Sequence, residues 1–224
     1  MEQRSLNRAT AAGLSGLETN KVLKNTYLLL SATLGVSALM AMLSMALGLP
    51  GITYLISVGL ALVLGMFVLP RTANSSAGLG VIFLVTGLLG LGLGPIISQY
   101  LTLSSGPQIV ATALGGTAVI FLGLAGFAMS SKRDFSFMYG FTITGIMVVF
   151  VGIIANIFLQ LPLLAVFLSG GIIILISALI LIQVGWIVNG GETNYILATY
   201  GLYLSIFNIF TSLLHLLGIF GGDD

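Results

Sequence analysis

The last apolar segment of this chain carries a stripe of polar and small residues along one face. There Gly201, Ser205, Asn208, Ser212 and His215 recur at spacings of four, three, four and three residues. Such spacing places them along one side of a helix. A polar face is costly against lipid, so it should face the interior of a helix bundle. The stripe therefore predicts either a tight interhelical interface or a wet cavity.

Three further amide side chains lie within apolar segments and could meet this stripe. Asn156 and Gln160 are one helical turn apart at the end of the fifth segment, and Gln183 lies near the end of the sixth. With the polar members of the stripe they could form one central polar path. The alternative is that each amide or hydroxyl only bonds across a helix pair, which contributes about 0.5–1 kcal/mol.

The groups that catalysis requires are missing from the apolar segments. Serines occur without a plausible base, His215 has no second histidine nearby to form a metal pair, and there is no cysteine. No nucleotide-binding glycine motif lies on a strand-turn-helix unit. The sequence therefore predicts a protein that is not an enzyme and has no metal site and no cofactor. The acidic residues lie only in the tail, the turns and the C-terminus: Glu2, Glu18, Asp134, Glu192, Asp223 and Asp224.

The composition is that of a membrane protein. Hydrophobic residues make up 58% of the chain and charged residues 6%, whereas about a quarter of the residues of a soluble domain are charged. The net charge of +1 argues against nucleic acid as a partner. We therefore expect the lipid bilayer to be the main surroundings of this protein.

Seven apolar segments are each long enough to cross a bilayer as a helix. The hydrocarbon core is about 30 Å thick and takes about 20 helical residues. Helices satisfy their own backbone in lipid, and the alternation typical of barrel strands is absent. The sequence predicts an all-α polytopic protein with a single seven-helix bundle over residues 20–224. Its spans are Tyr27–Leu49, Ile52–Leu69, Leu79–Leu101, Ile109–Ser130, Phe135–Leu159, Leu163–Val188 and Tyr195–Phe220.

The basic residues predict the orientation of these spans, because basic loops resist translocation. They occur only before the first span, after the second and after the fourth: Arg4, Arg8, Lys21, Lys24, Arg71, Lys132 and Arg133. This pattern predicts a cytoplasmic N-terminus and a C-terminus on the opposite side. Residues 1–19 are polar and lack an apolar period, so we expect a disordered cytoplasmic tail. The tail could serve only to orient the chain, or a cytoplasmic partner could grip it.

Small residues should let the helices approach closely, since apolar side chains alone gain little by associating in lipid. In the third span they recur at every fourth position, and a proline inside that span should kink the helix. The fourth span contains a pair of adjacent glycines. The residues predicted to pack helices together are Gly90, Gly94, Pro95, Gly115 and Gly116.

Several blocks of this sequence, taken in order, resemble the Bax inhibitor-1 family. The resemblance runs from about Lys21 to Gly218, and its specificity rests on the order and spacing of the blocks. They are Lys21–Tyr27 (KVLKNTY), Leu93–Ile96 (LGPI), Ala113–Ala118 (ALGGTA), Ala155–Pro162 (ANIFLQLP), Gly190–Ile196 (GGETNYI), Leu202–Tyr203 and Asn208–Phe210.

The resemblance implies a fold, a location and two activities. The family fold has six helices around a central one. The bacterial branch that this chain resembles is described as a substrate and modulator of the membrane-bound AAA protease FtsH and its membrane regulators, which implies the bacterial inner membrane and a periplasmic C-terminus. Other members are described as pH-sensitive calcium leak channels that are gated by two aspartates.

This chain departs from the leak-channel pattern at both aspartates. Gln183 occupies the position on the sixth helix and Ser205 the position on the seventh. Two close carboxylates share a proton and so sense pH, whereas an amide and a hydroxyl do not titrate. A hydrogen bond between them could still latch the inner ends of the two helices. Calcium prefers several oxygen ligands, and only Glu192, in the inner turn, offers a nearby acid.

Two hypotheses follow from the sequence. The first is an interaction protein, an inner-membrane modulator and slow substrate of FtsH in membrane-protein quality control, which needs no catalytic residue. The second is a cation leak, permeable to calcium, along the face formed by Ser205, Asn208 and His215, without the aspartate sensor.

Overall fold

The computed structural model describes residues 2–131 and 133–221, and of residues 2–17 only the backbone. Lys132, Asp223 and Asp224 lie outside the described residues. The side chains of residues 2–17 do so too, and the disorder of the predicted tail, residues 1–19, stays a prediction. Over the described ranges the chain is helical and contains no strand.

Seven helices are long and apolar enough to cross a membrane, in the predicted order. They are α1 (Glu2–Ala46, of which Glu18–Ala46 is the membrane span), α2 (Ile52–Thr72), α3 (Ser76–Leu101), α4 (Gly106–Ser131), α5 (Tyr139–Leu159, preceded by a 3-10 turn at Ser136–Met138), α6 (Pro162–Val188) and α7 (Tyr195–Gly221). The all-α seven-span prediction is confirmed.

The first span differs most from its prediction, because it begins earlier than Tyr27 and ends at Ala46 instead of Leu49. Gly48 stops the helix there by adopting a positive φ of 61°. Its backbone N–H donates to the carbonyl of Met45, and that of Leu49 donates to the carbonyl of Ser44. This pattern is a glycine C-cap, which satisfies the last carbonyls of the helix.

Helix α2 contains a single wide turn at Leu64–Val68, where the hydrogen bonds follow the π pattern. Pro70 lies two residues after its end and has no N–H to donate to the carbonyl one turn earlier. Gly65 lies within this turn, and the hydroxyl of Tyr200 on α7 occupies the space that a side chain at Gly65 would need. The turn thus brings the backbone of α2 against α7.

Helix α7 takes the central place in the bundle. Helices α1, α3, α4 and α6 pack around it, while α2 packs mainly on α3 and α5 mainly on α6. Its fully buried side chains, among them Leu202, Tyr203 and Ile209, form part of the largest apolar cluster. The polar stripe of α7 therefore lies between helices from Gly201 to Ser212, whereas His215 at its end is exposed.

Glycines bring α3 into direct contact with α1. A Cβ at Gly90 would overlap the backbone of Ser37, and one at Gly94 would overlap the side chain of Ser44. Pro95 lies beside them and is buried inside α3. The two helices therefore touch backbone to backbone along the glycine stripe that the sequence shows.

The two glycines of α4 have different surroundings. Gly116 faces α7, where a Cβ would lie 3.2 Å from a methyl carbon of Leu213. Gly115, predicted to pack helices together, instead faces open space, since a Cβ there would meet nothing within 4 Å. Adjacent residues on a helix point about 100° apart, so only one of this pair can lie in the interface.

Candidate functional site

Gln183 of α6 and Ser205 of α7 are directly bonded to each other. The Ser205 hydroxyl donates to Oε1 of Gln183 over 3.0 Å, and Ser205 is buried. Gly201 lies one turn earlier on α7, where a Cβ would be 3.1 Å from Nε2 of the same amide. The glycine thus leaves room for the amide to lie flat against α7. This contact joins the two helices toward the ends connected by the turn at residues 189–194.

A polar cavity of about 380 Å³ lies further along α7, between α2, α5, α6 and α7. Four of the predicted path residues line it: Asn156, Asn208, Ser212 and His215. They come from α5 and α7, two helices that hardly touch each other. The cavity fills the space between them. It provides the space that the wet-cavity alternative requires beside this part of the polar stripe.

Ser169 on α6 is a cavity residue that the sequence reading missed. Its hydroxyl lies 2.9 Å from Nδ1 of His215, and the Ser169 side chain is buried. Asn208 uses its amide nitrogen within its own helix and donates to the carbonyl of Leu204 over 2.8 Å. The immediate neighbours of Ser169 are apolar residues and glycines, and the polar stripe of α7 carries no information about this residue of α6. The cavity wall is thus held by one bond between α6 and α7.

Gln160 does not reach the cavity. It follows the last residue of α5 in a left-handed conformation, with φ 51° and ψ 38°, and its side chain is exposed. Its backbone N–H donates to the carbonyl of Asn156, whose side-chain Oδ1 accepts from Leu161 N–H over 3.0 Å. The prediction that Gln160 lies on the path is wrong, because the helix ends before it and its side chain leaves the helical period.

The predicted polar path is therefore divided into two parts. In the orientation that the basic residues predict, the outer part is the cavity and the inner part is the Gln183–Ser205 contact, whose two residues do not line the cavity. The cavity offers amide, hydroxyl and imidazole groups, which suit water or a neutral polar solute. Among the residues that the structure describes, no group of three His, Cys, Asp or Glu side chains could hold a metal ion.

The inner turn after α6 is built around Asn194. Its Oδ1 accepts from the backbone N–H of Ile196 over 2.9 Å and of Leu197 over 3.2 Å, which caps α7. Its Nδ2 donates to the carbonyl of Ala73 over 3.1 Å and to Oδ1 of Asn74 over 2.8 Å. Asn194 therefore ties this turn to the turn between α2 and α3.

The acidic groups of the inner turns serve local structure. Oε1 of Glu192 accepts from the backbone N–H of Asn194 over 2.7 Å. Asp134 accepts from the backbone N–H of Ser136 over 2.8 Å, and hydrogen bonds from the side chain and backbone of Ser136 hold the pKa of the Asp134 carboxyl below its usual value. Both acids lie outside the cavity and outside the Gln183–Ser205 contact.

Seven membrane-spanning helices with a largely apolar core and one polar cavity, free of acidic side chains among the described residues, define a polytopic membrane protein. Residues 19–222 match the family described as inhibitor of apoptosis-promoting Bax1. The chain belongs to the Bax inhibitor-1 family, as its sequence blocks predict.

Similar proteins cover almost the whole chain. The modulator of FtsH protease YccA of Escherichia coli K12 is 45% identical over 212 residues, which are 92% of this chain and 94% of that protein. An uncharacterized membrane protein of Vibrio cholerae is 46% identical over 93% of both chains. A protein of Pseudomonas aeruginosa is 39% identical over 100% of this chain and 99% of its own length. With its seven spans and its similarity to the inner membrane protein YccA, the chain is a multi-pass protein of the inner membrane.

Proposed function

We propose that this protein modulates FtsH, and is itself a slow substrate of that protease, by protein interaction in membrane-protein quality control. The observation that carries the proposal is the 45% identity to the modulator of FtsH protease YccA along 92% of the chain. Such a role requires no catalytic group. It agrees with the Gln183–Ser205 contact, in which a neutral amide is paired with a neutral hydroxyl. The proposed partners are FtsH and its membrane regulators.

The packing of α1 suggests how the protein would resist the protease. A processive protease that engages the N-terminal tail must first pull on α1. That helix is held to α3 at Gly90 and Gly94, and Thr199 on α7 donates to the carbonyl of Thr26 over 3.2 Å. Ser37 is bonded to Tyr203 over 2.6 Å. Extraction would therefore start against the best-packed part of the bundle, and a slow substrate occupies the protease.

Deletion of residues 2–19 tests this mechanism. The truncated protein should insert normally but should lose its FtsH-dependent turnover in cells, because the protease has nothing to grip. A Gly/Ser segment of the same length in place of residues 2–19 should restore turnover if the tail acts only as a flexible handle. Unchanged turnover of the inserted, truncated protein would contradict the proposed grip.

The outer cavity favours a second candidate function, a cation leak. Its polar lining by Asn156, Asn208 and His215 would admit water to roughly the middle of α7. The Gln183–Ser205 contact would then form the inner constriction of the pathway. Purified protein in liposomes should conduct calcium in this case, and Asn208→Leu should reduce the flux by closing the cavity with an apolar side chain. Equal flux through protein-free liposomes would argue against the leak.

A further inference from the structure

A long apolar groove opens sideways between α1 and α4, with α7 as its floor. We call it the lateral groove; its volume is about 670 Å³. Helices α1 and α4 both pack on α7 but are not packed against each other along their length. Residues on the two walls and the floor include Leu34, Ala38, Met42, Ala118, Leu122 and Phe207. Because the groove lies within membrane spans, lipid has direct access to it.

The polar side chains of the lateral groove other than Tyr27 are already bonded to the protein. Ser37 is bonded to Tyr203 over 2.6 Å, and the Tyr203 hydroxyl also lies 3.3 Å from the carbonyl of Thr86. Thr117 donates to the carbonyl of Ala113, and Ser31 to that of Tyr27. A polar occupant would find few free partners there. The lining is therefore suited to a hydrocarbon.

The length of the groove suits an extended acyl chain. On α1 the lining residues run from Tyr27 to Met45, which is about 27 Å at 1.5 Å per residue. A cavity of about 150 Å³ already holds benzene, so the groove has ample room for an acyl chain.

A cation and a free hydroxyl lie at one end of the groove. Lys24 is exposed and precedes Tyr27 and Ser31 by three and seven residues, so it continues the groove face of α1. The neighbouring Thr26 is bonded to Thr199, one turn into α7, so Lys24 lies near the depth at which α7 begins. The hydroxyl of Tyr27 is buried and has no hydrogen-bond partner among the described residues.

We propose that the lateral groove binds an acyl chain of an anionic phospholipid from the leaflet on the side of Lys24. The chain lies between α1 and α4, the Lys24 ammonium binds the headgroup phosphate, and the Tyr27 hydroxyl donates to an ester carbonyl. The lipid then fills the gap that the helices leave between α1 and α4. Basic residues at this depth attract anionic headgroups.

Photocrosslinking in vesicles tests the proposal with the full-length protein. The probes are phosphatidylglycerol and phosphatidylcholine with a diazirine in one acyl chain, and peptide mapping locates the adducts. Adducts from phosphatidylglycerol should be several-fold enriched on the groove residues of α1 and α4. Lys24→Gln should bring the phosphatidylglycerol yield down to that of phosphatidylcholine.

Variants that place a larger side chain in the groove are compared with a matched variant outside it. Ala38→Phe and Ala118→Phe should each reduce groove adducts several-fold, because both residues line the groove at exposed positions. Ala32→Phe is the control, since Ala32 is exposed on α1 but does not line the groove. Equal groove labelling in all three variants would overturn the proposal. Crosslinks from the groove to a second copy of the chain, in place of lipid adducts, would also overturn it.

Discussion

The Ser205 hydroxyl donates a 3.0 Å hydrogen bond to Oε1 of Gln183, and this bond joins α7 to α6. The hydrogen bond that the sequence allowed between these two residues is thus present. It occupies the positions at which the leak-channel pattern of the family has two aspartates. Neither side chain titrates, so the contact keeps its geometry and its neutral charge as pH changes.

The first prediction concerns pH. Any calcium flux through the wild-type protein in liposomes should change little between about pH 6 and about pH 8, because the inner contact holds no carboxylate pair to titrate. The double variant Gln183→Asp/Ser205→Asp should gain a several-fold pH dependence over the same range. Encapsulated calcium indicator measures both. Gln183→Asn is the neutral control, and a steep titration of the wild type would refute this account of the contact.

The second prediction concerns the contact between α1 and α3. Gly90→Ala should lower the free energy of unfolding by about 1–3 kcal/mol, because the new Cβ would overlap the backbone of Ser37. Gly115→Ala is the matched control, since its Cβ would meet nothing within 4 Å. Unfolding in mixed detergent measures both changes. Equal stability of the two variants would show that α1 and α3 are further apart than described.

The third prediction concerns the inner turns. Asn194→Ala should destabilise the start of α7 by about 1 kcal/mol through loss of the helix cap. It should also loosen the turn at Ala73 and Asn74, because that turn loses the two hydrogen bonds that Nδ2 of Asn194 donates to it. Asn194→Asp keeps an acceptor for the cap but removes that donor, so it separates the two effects.

Amide hydrogen exchange at residues 72–76 and 194–198 is the measurement for these two variants of Asn194. Asn194→Ala should raise exchange at both segments, and Asn194→Asp only at the first. Faster exchange at α7 alone in both variants would mean that the bond between the turns is not formed.

The fourth prediction concerns water in the outer cavity, and the absence of cysteine from the chain makes it direct. Asn208→Cys, which lines the cavity, should react with a membrane-impermeant maleimide several-fold faster than Ser205→Cys, which is buried beyond it. The reagent should act from the periplasmic side, which the orientation prediction requires. Equal protection of both cysteines would show a dry cavity, and labelling only from the cytoplasmic side would reverse the orientation.

The sequence predicts this fold well because its signals are local to each helix. Segment length and apolarity identify the seven spans, and the spacing from Ser205 to Ser212 identifies a face of α7 that lies within the bundle. The Gln183–Ser205 pair was accessible through the resemblance to the family pattern. Each of these inferences needs only the period of one helix or the order of blocks along the chain.

Two of the misses, Ser169 and the lateral groove, share a physical cause, which is that one helix does not encode its register against the next. The bond from Ser169 to His215 depends on how α6 slides along α7, and nothing in either segment states it. Gln160 was misplaced because a single left-handed residue ends the helical period. The lateral groove also escaped, because a gap between α1 and α4 has no pattern in either sequence segment.

The most direct test of the central claim is recovery of the protease with the protein. The tagged full-length chain is crosslinked in its native membrane, solubilised and purified, with an unrelated seven-helix inner-membrane protein at equal expression as the control. We predict strong, specific recovery of FtsH and its membrane regulators with this chain alone. Absence of FtsH from the purified material, with the bait intact and well expressed, would contradict the modulator role.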